Sequence, residues 1–324
     1  MESGKNILMT GASGFVGANV LKFFLETEPT WKITCLCSWA HKGSPIRIQK
    51  LIDIKNKNVK IITHDLTSPI PFEIGEFDYI LNLASESHVD RSILDPYSVA
   101  HNNNELIIHM LEFARKTKPQ KFIHFSTDEV YGPHHHNKWD LLLPSNPYSA
   151  SKAAQELYCY AYWRTYNLPL IITNSNNIIG PLQNPEKFIP KILDKAKRKE
   201  PISIHAVNGI IGNRFWNPVG NVASALAHIL HNVKITLYDG NDSIKPTRIA
   251  LSGGEELSNL QISERLYKLL NIDLYYDLIE ATNIRPGYDK FYGECLDDKT
   301  LMNVWEPTFT VNDTLAEIIK LSDS

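Results

Sequence analysis

Short apolar runs alternate with longer segments of helical periodicity through the first half of the chain. The short runs predict strands at Asn6–Thr10, Lys32–Leu36, Lys60–Thr63, Tyr79–Leu83, Lys121–Ser126 and Leu170–Asn174. The longer segments predict helices at Phe15–Glu28, Val99–Lys116 and Ser149–Tyr166. This alternation indicates an α/β fold whose parallel sheet is connected by crossover helices. Right-handed crossovers bring the carboxyl ends of such strands to one edge, so we expect the ligands there.

After residue 174 the pattern becomes less regular. Pro181, Pro185 and Pro190 interrupt a loop-rich segment. Further helices are predicted at Ile189–Arg198, at Val219–Asn232, and from a capping box at Ser258–Gln261 through Leu270. We therefore expect a smaller second domain over the edge of the sheet.

Composition and charge limit the classes of protein to consider. The chain has 324 residues, of which 43% are hydrophobic and 21% charged, and its net charge is −3. These values are typical of a globular protein and give no reason to expect nucleic acid or a membrane as partner. No apolar run approaches the roughly 18 residues of a membrane span, and the N-terminus does not resemble a signal peptide. Cys35, Cys37, Cys159 and Cys295 lack the spacing of a disulfide framework. We expect a cytoplasmic protein with reduced thiols.

Gly11, Gly14 and Gly17 follow the first predicted strand and begin the first predicted helix. In this context the first two glycines let the backbone approach a pyrophosphate, and the third lets the helix pack closely on the strand. The N-terminus of the helix then offers unpaired N–H groups to the phosphates. The sequence thus predicts a dinucleotide site, and the alternative is a glycine turn that binds nothing.

Tyr148 and Lys152 lie one helical turn apart, so their side chains share a face. A cation beside a phenol favours the tyrosinate and lowers its pKa, which makes tyrosine a candidate base. Such pairs are common on helix surfaces. The position of this pair, on the helix that follows the Lys121–Ser126 strand, is what makes it informative.

Asp128 and Glu129 follow that same strand. Two carboxyls in different environments can act as one general acid and one general base. The alternative interpretation is a solvated acidic turn with a helix-capping aspartate.

Several segments together resemble the extended short-chain dehydrogenase/reductases and, within them, the nucleoside-diphosphate-glucose 4,6-dehydratases. They are Thr10–Gly17, Ser85–Ser92, Ser126–Gly132, Pro147–Lys152, Asn174–Asn177, Asn184–Pro190, Gly253–Gly254 and Arg285–Asp289. The resemblance covers nearly the whole chain, and Thr127-Asp128-Glu129 is its most specific element. It implies a Rossmann-type doubly wound parallel sheet with a smaller, mixed α/β C-terminal substrate domain. Residues 1–174 would bind NAD and residues 175–324 mainly the nucleotide sugar, with the segment around 212–235 packing back on the first domain.

The resemblance also implies a lyase reaction with a role for each catalytic residue. Tyr148 would take the proton of the C4 hydroxyl while hydride passes to NAD, with Thr127 bonded to the C4 oxygen. Lys152 would hold the nicotinamide ribose. Glu129 would remove the C5 proton and Asp128 would protonate the departing C6 hydroxyl, after which hydride returns to C6. Water is lost, and the cofactor is not consumed.

Binding residues are implied in the same way, and no metal is expected. Asp65 would contact adenine, Lys187 would lie near the phosphates, and Arg214 and Arg285 would meet the diphosphate. The cofactor set is Gly11, Gly14, Phe15, Val16, Gly17, Asp65, Leu66, Leu83, Ala84, Ser85, Tyr148 and Lys152. The substrate set is Ser87, His88, Asn177, Glu186, Lys187, Arg214 and Arg285. For His88 a structural role is an equal alternative.

The chain departs from the family pattern at three places. Cys37 stands where the family has an aspartate that binds the adenosine ribose, and a thiol cannot replace that charge. No arginine adjoins Cys37, so NAD remains the expected cofactor. His134–His136 predict a solvated loop rather than a metal site. Phe215–Asn221 replaces an acidic, aromatic-rich stretch.

The sequence thus leads to one principal hypothesis and two alternatives. The first is a nucleoside-diphosphate-glucose 4,6-dehydratase, with dTDP-glucose ranked before UDP-glucose. The alternatives are another NAD-dependent nucleotide-sugar epimerase or dehydratase, and a non-catalytic nucleotide-sugar-binding homologue. The resemblance further implies a homodimer through a four-helix bundle made from the helices at Val99–Lys116 and Ser149–Tyr166. Leu106, Met110, Leu111, Leu157 and Tyr158 fit either that surface or core packing.

Overall fold

The computed structural model describes residues 4–39, 43–53, 55–133, 141–240, 245–251, 253–284, 287–289 and 305–322. The strands are β1 Asn6–Thr10, β2 Lys32–Cys37, β3 Val59–Thr63, β4 Tyr79–Asn82, β5 Lys121–Thr127, β6 Leu170–Ser175, β7 Asn177–Ile179, β8 Ile202–Val207, β9 Ile210–Ile211, β10 Asn213–Pro218, β11 Thr247–Leu251, β12 Glu255–Ser258 and β13 Tyr276–Glu280. The helices are α1 Phe15–Thr27, α2 Pro45–Leu51, α3 Val89–Leu94, α4 Pro96–Thr117, α5 Pro147–Tyr166, α6 Phe188–Lys197, α7 Val219–Asn232, α8 Asn259–Leu270 and α9 Val311–Ser322. Short 3₁₀ helices lie at Phe72–Ile74, Asp128–Tyr131 and Ala281–Asn283.

A seven-stranded parallel sheet forms the centre of the molecule, in the order β3-β2-β1-β4-β5-β6-β11. The chain begins in the middle, moves outward to β3, and then crosses β1 to build the other half. This is the doubly wound order of a Rossmann-type fold. All six predicted strands are present in it. The seventh, β11, was not predicted; it pairs with β6 in parallel, with Thr247 opposite Ile171.

Helices cover both faces of the large sheet. On one face α1 and α7 pack together, with Phe24, Leu226 and Leu230 in the same buried cluster. On the other face α4 and α5 pack together over β4, β5 and β6. Val219–Asn232 has the bounds that its helical pattern predicted. The division into functional domains at residue 174 stays a prediction.

The remaining strands form two three-stranded sheets, β12-β10-β7 and β13-β8-β9. They share a third core with α6, α8 and α9, which includes Ile192, Trp216, Ile262 and Leu315. The predicted capping box of α8 is confirmed: Ser258 Oγ accepts a bond from Gln261 N at 3.1 Å, and Gln261 Oε1 accepts one from Ser258 N at 2.8 Å. Within the described ranges, no helix is both long and apolar enough to cross a bilayer.

For the apolar positions of α4, the structure decides between the two interpretations left open by the sequence. Leu106 is 4% exposed and Met110 and Leu111 are fully buried, so all three belong to the core. Leu157 and Tyr158 on α5 are 58% and 37% exposed. Helical periodicity predicts an apolar face, but it does not distinguish a face against the sheet from a face toward a partner.

The turn between β1 and α1 depends on close backbone contact. Gly11 has a φ of +72°, a region that favours glycine. A Cβ on Gly17 would lie 2.0 Å from the Gly11 carbonyl oxygen. The first turn of α1 therefore packs directly on the glycine turn, as the spacing predicted.

We predict that Gly17→Ala destabilises the protein, because the added methyl must push α1 away from the turn. The expected cost is about 1–3 kcal/mol, seen as a lower melting temperature in thermal unfolding. Lys22→Ala on the same helix is the control, since Lys22 pairs only at 4.0 Å with Glu26 on the surface. Equal melting temperatures for the two variants would contradict the packing argument.

Candidate active site

A cleft of about 590 Å³ lies at the carboxyl edge of the large sheet and extends to the smaller sheets. It brings together most of the residues that the sequence predicted. Those that line it are Gly11, Gly14, Phe15, Val16, Gly17, Leu83, Ser85, Ser87, His88, Thr127, Glu129, Tyr148, Lys152, Asn177, Glu186, Lys187 and Arg214.

Four predicted residues are placed differently, and a fifth is not described. Asp128 is 4% exposed and lies behind the lining, bonded to residues of the cleft wall. Leu66 is buried, Ala84 is half-buried, and neither is among the lining residues. Asp65 is exposed, and its Oδ1 accepts bonds from the backbone N and the hydroxyl of Thr67 at 3.0 and 2.9 Å. Arg285 and His134–His136 lie outside the described residues. Three other residues of the Arg285–Asp289 motif, Gly287, Tyr288 and Asp289, line the cleft.

The glycine turn has the form that a dinucleotide needs. A Cβ on Gly11 would lie 2.8 Å from Ala84 N, so the turn fits tightly against the loop after β4. Helix α1 begins after Gly14 without a side-chain cap, which leaves its first N–H groups for another acceptor. The positive end of the helix and these groups suit a pyrophosphate. The residues present therefore fit the expected cofactor at its diphosphate.

The end of β2 differs from the usual ribose site, as the sequence indicated. Cys37 is 1% exposed and hydrogen-bonded to Ser13 of the glycine turn. Burial raises the pKa of its thiol to about 11, so this position is neutral. Arg47 on α2 also contacts the turn. Its guanidinium donates to Ser13 O at 2.8 Å, to Leu182 O at 3.0 Å and to Asn184 Oδ1.

Helix α5 presents Tyr148 and Lys152 to the cleft. Asn146 caps the helix in a reciprocal bond with Ser149, and Pro147 occupies the first turn. The backbone N of Tyr148 donates to Ser92 Oγ at 3.0 Å. Lys152 Nζ donates to Phe125 O at 2.8 Å and to Gln155 Oε1 at 2.6 Å. The backbone of Tyr148 is thus held by Ser92, and the Lys152 side chain is held by β5 and by its own helix.

The pKa of Tyr148 is raised in the protein, whereas its pairing with Lys152 predicted a lowered one. Burial, with the charges of Glu129 and Asp128, raises the pKa of Tyr148 well above its usual value, and a hydrogen bond with Thr127 opposes this only partly. Burial also lowers the pKa of Lys152 to about 8. The spacing predicted that the two side chains share a face of the helix, but it did not predict how strongly that face is desolvated.

Asp128 and Glu129 sit in different surroundings, as a general acid and a general base require. Burial, followed by the charge of Glu129, raises the pKa of Asp128 to about 7. Its Oδ2 accepts from Asn176 Nδ2 at 3.0 Å, and its Oδ1 accepts from Thr127 Oγ1 at 3.1 Å. Glu129 is only half-buried, and its Oε2 accepts from Asn146 Nδ2 at 3.3 Å. Near neutral pH Asp128 can therefore hold a proton to donate.

Two cations line the cleft. Arg214 is 7% exposed, donates to Asp289 O at 2.5 Å, and stands 5.4 Å from the centre of the Tyr288 ring. Lys187 Nζ donates to Ser87 O at 3.0 Å. A guanidinium and an ammonium in a cleft suit a diphosphate. His88 lines the cleft and also caps α3, because its Nδ1 accepts from Arg91 N at 3.2 Å.

Sequence reasoning missed the side chains that orient the carboxyls. Asn146 and Asn176 were not singled out, although Asn before Pro is a helix-start signal and Asn176 lies inside a quoted motif. Arg248 and Glu156 were missed as well. They form an ion pair at 2.7 Å behind the site and are 6% and 0% exposed. The sequence signal that could have revealed Arg248 is a charged residue inside the apolar run of β11.

The comparisons with known proteins agree with this geometry. The sequence model of the NAD dependent epimerase/dehydratase family matches residues 7–237. The chain belongs to this family. The low-salt glycan biosynthesis protein Agl12 of Haloferax volcanii is 31% identical over 96% of this chain and 96% of its own length. A trifunctional protein of Arabidopsis thaliana, named as UDP-glucose 4,6-dehydratase, 3,5-epimerase and reductase, is 31% identical over 92% of this chain but only 44% of its own length.

Solved structures of the epimerase/dehydratase family extend the likeness. DesIV, a dTDP-glucose 4,6-dehydratase of Streptomyces venezuelae solved with NAD and TYD bound, superposes with a TM-score of 0.84 at 26% identity, over 98% of this chain and 97% of its own. Nucleotide-sugar 4-epimerases also match, at 19% to 22% identity, which shows a shared fold alone. The resemblance to extended short-chain dehydrogenase/reductases is confirmed, and NAD is the cofactor of this family member.

We predict that Asp128→Asn changes the pH dependence of stability. With its pKa raised from 3.8 to about 7, Asp128 is protonated in the folded protein at pH values where the unfolded chain has released that proton. The folded state thus binds more protons, so this group makes the free energy of unfolding fall as pH rises from about 4 to 7, by at most about 1.4 kcal/mol per pH unit. Asparagine stays neutral and removes this slope.

Urea unfolding of both proteins at several pH values across that window measures the effect. The variant should gain stability relative to the parent as pH rises. Asp277→Asn, at an exposed position on β13, is the control. Parallel curves for Asp128→Asn and the parent would contradict the raised pKa.

Proposed function

We propose that this protein is an NAD-dependent nucleoside-diphosphate-glucose 4,6-dehydratase, with dTDP-glucose as the first candidate substrate and UDP-glucose as the second. It would be a lyase that forms the 4-keto-6-deoxyglucose nucleotide. The observation that carries the proposal is the buried acid Asp128, with a pKa of about 7, next to Glu129 and across from Tyr148 and Lys152. The matched dehydratases support it.

The first step would oxidise C4. Oxidised NAD, when bound, supplies the hydride acceptor and a positive charge beside the phenol. Tyr148 would accept the proton of the C4 hydroxyl, and Thr127, hydrogen-bonded to Tyr148, would contact the same oxygen. Lys152, fixed on Phe125 O, would hold the nicotinamide ribose and favour the tyrosinate electrostatically.

The second step would eliminate water across C5 and C6. The C4 ketone makes the C5–H bond acidic, and the Glu129 carboxylate would take that proton. The electron pair forms the C5–C6 double bond as the C6–O bond breaks, and the Asp128 carboxyl would give its proton to the leaving hydroxide. Return of hydride to C6 and of a proton to C5 would complete the product.

The binding assignments follow from the residues that line the cleft. We assign NAD to residues 1–174 and the nucleotide sugar mainly to residues 175–324. Asn177, Glu186, Lys187 and Arg214 would contact the substrate, and the two cations would meet its diphosphate.

The two alternative functions, a 4-epimerase and a non-catalytic binder, do not need all of the groups that the site contains. A 4-epimerase oxidises and reduces C4 and has no elimination for an acid and a base to perform. A non-catalytic binder has no use for a carboxyl whose pKa is raised to near neutral pH. The raised pKa of Asp128, beside Glu129, therefore favours the dehydratase over both.

We predict that the protein converts dTDP-glucose or UDP-glucose to a 4-keto-6-deoxy product, detected by its alkali-induced absorbance. Glu129→Gln should still oxidise C4 but not eliminate water, so reduced nicotinamide should accumulate in a single turnover. Product formation should fall by about 10²–10⁴-fold, as expected for loss of a general base. Glu26→Gln, whose side chain is 61% exposed on α1, is the matched control.

Two results would count against this proposal. No product with dTDP-, UDP-, CDP- or GDP-hexoses would exclude the dehydratase activity. Interconversion of C4 epimers without loss of water would favour the epimerase instead. Normal product formation by Glu129→Gln would overturn the role of Glu129 alone.

We further propose a homodimer through a four-helix bundle formed by α4 and α5 of two copies. Tyr97 on α4 is 77% exposed, and Leu157 and Tyr158 on α5 are 58% and 37% exposed. Large apolar side chains on neighbouring helices need a partner surface to be removed from water. The four-helix arrangement itself comes from the family resemblance.

We predict that Leu157→Asp yields a monomer, because it places a charge in the centre of the proposed bundle. Size-exclusion chromatography with light scattering should show half the mass of the parent. Leu269→Asp, at a position 45% exposed on α8, should keep the parent mass. A monomeric parent protein would disprove the dimer.

A further inference from the structure

Arg248 forms a buried ion pair that the proposed reaction steps do not use. It lies in β11, the edge strand of the large sheet, and is 6% exposed. Its Nη2 stands 2.7 Å from Oε2 of Glu156, which is fully buried. Glu156 follows Lys152 by one turn of α5, the helix that also carries Tyr148. The ion pair therefore joins the edge of the sheet to the catalytic helix.

The same guanidinium also contacts the chain around the two carboxyls. Nη1 of Arg248 donates to the Tyr131 hydroxyl and, at 2.8 Å, to Asn174 Oδ1. Tyr131 ends the 3₁₀ helix that contains Asp128 and Glu129. Thus the Arg248 side chain contacts both α5, which carries Tyr148 and Lys152, and the 3₁₀ helix that contains the two carboxyls.

Asn174 completes the connection. Its Nδ2 donates to the Thr127 backbone oxygen at 3.0 Å and to Glu156 Oε1 at 2.8 Å. The rings of Tyr131 and Tyr160 lie 5.5 and 5.6 Å from the guanidinium carbon of Arg248, and Tyr160 also accepts a bond from it at 2.7 Å. The guanidinium is thereby fixed in orientation as well as in position.

Stability alone does not account for this arrangement. Removing two charges from water is costly, and well-packed apolar residues at such positions are often as stabilising or more so. The alternative benefit is a unique geometry, because a guanidinium fork accepts few arrangements of its partners. Here that geometry ties the loop of the two carboxyls to the helix of Tyr148 and Lys152.

We propose that Arg248 is a positioning residue, which through Glu156, Asn174 and Tyr131 holds the Thr127–Tyr131 segment in register with α5. The register would place Glu129 at C5 and Asp128 at the C6 hydroxyl while Tyr148 serves C4. This inference rests on the proposed dehydratase function. None of the four network residues is among those that line the cleft. Loss of Arg248 should therefore affect turnover rather than substrate binding.

The test compares variants that separate positioning from simple stability. Arg248→Met alone leaves the Glu156 charge buried without its partner, which is strongly destabilising, and this variant can fail to fold. Arg248→Met combined with Glu156→Gln removes both charges and keeps the hydrogen-bonding shape of residue 156. Arg248→Lys keeps the charge without the fork. Arg265→Met, which breaks the surface pair with Glu255, is the matched control.

We expect the double variant to lose about 10²-fold in kcat, the effect of a misplacement of about 1 Å, with KM within twofold of the parent. Reduced nicotinamide should build up in its single turnover, because oxidation at C4 survives better than elimination. Arg248→Lys should recover part of the kcat. Amide hydrogen exchange over residues 126–132 should become faster in the double variant and stay unchanged in Arg265→Met.

The outcomes separate this inference from the proposed function. A parent protein without dehydratase product would refute the function, and the exchange measurement would still test the positioning, since it needs no substrate. Unchanged exchange in residues 126–132 would overturn the role of Arg248. A double variant whose kcat equals that of the control would also overturn this role. The same holds if the changes in kcat and KM across the variants are fully explained by their melting temperatures.

Discussion

The parallel arrangement of the central strands is the constraint on which the site depends. Because β1, β4, β5 and β6 run the same way and lie side by side, the segments that follow them emerge at one edge. The glycine turn, the Ser85–His88 loop, the Thr127–Glu129 triplet and Ser175–Asn177 are far apart in the chain and meet there. Helix α5 then returns from that edge with Tyr148 in its first turn. The direction of the strands therefore determines which segments meet at the site, whatever side chains they carry.

The exclusion of water from the catalytic groups is another physical property on which the site depends. Burial raises the pKa values of Asp128 and Tyr148 and lowers that of Lys152, so it favours the neutral form of each group. Each of these three groups therefore carries less charge than it would in water. In the proposed reaction the cofactor and the diphosphate would bring charge into the site, where electrostatic interactions are strengthened because water is excluded.

Periodicity and turn signals were enough to predict the large sheet except for its last strand. The missed strand, β11, has Arg248 in its second position, and a charge there hides the apolar run from a pattern search. Motif spacing placed Tyr148, Lys152, Thr127 and Glu129 at the cleft. It did not predict the raised pKa of Tyr148, because desolvation depends on neighbours from several elements. For the same reason Leu106, Met110 and Leu111 could not be assigned to the core from helical spacing.

Arg47 has a consequence for cofactor exchange. Its guanidinium holds the glycine turn through Ser13 O and, at the same time, the chain at Leu182 and Asn184, next to Glu186 and Lys187 in the opposite wall of the cleft. The two walls cannot separate at this point without breaking hydrogen bonds to a buried charged group, which are costly to leave unmade. The glycine turn and the segment that leads to Glu186 and Lys187 are therefore coupled through one side chain. The proposed reaction, which would regenerate its cofactor in every cycle, would not require this contact to open between turnovers.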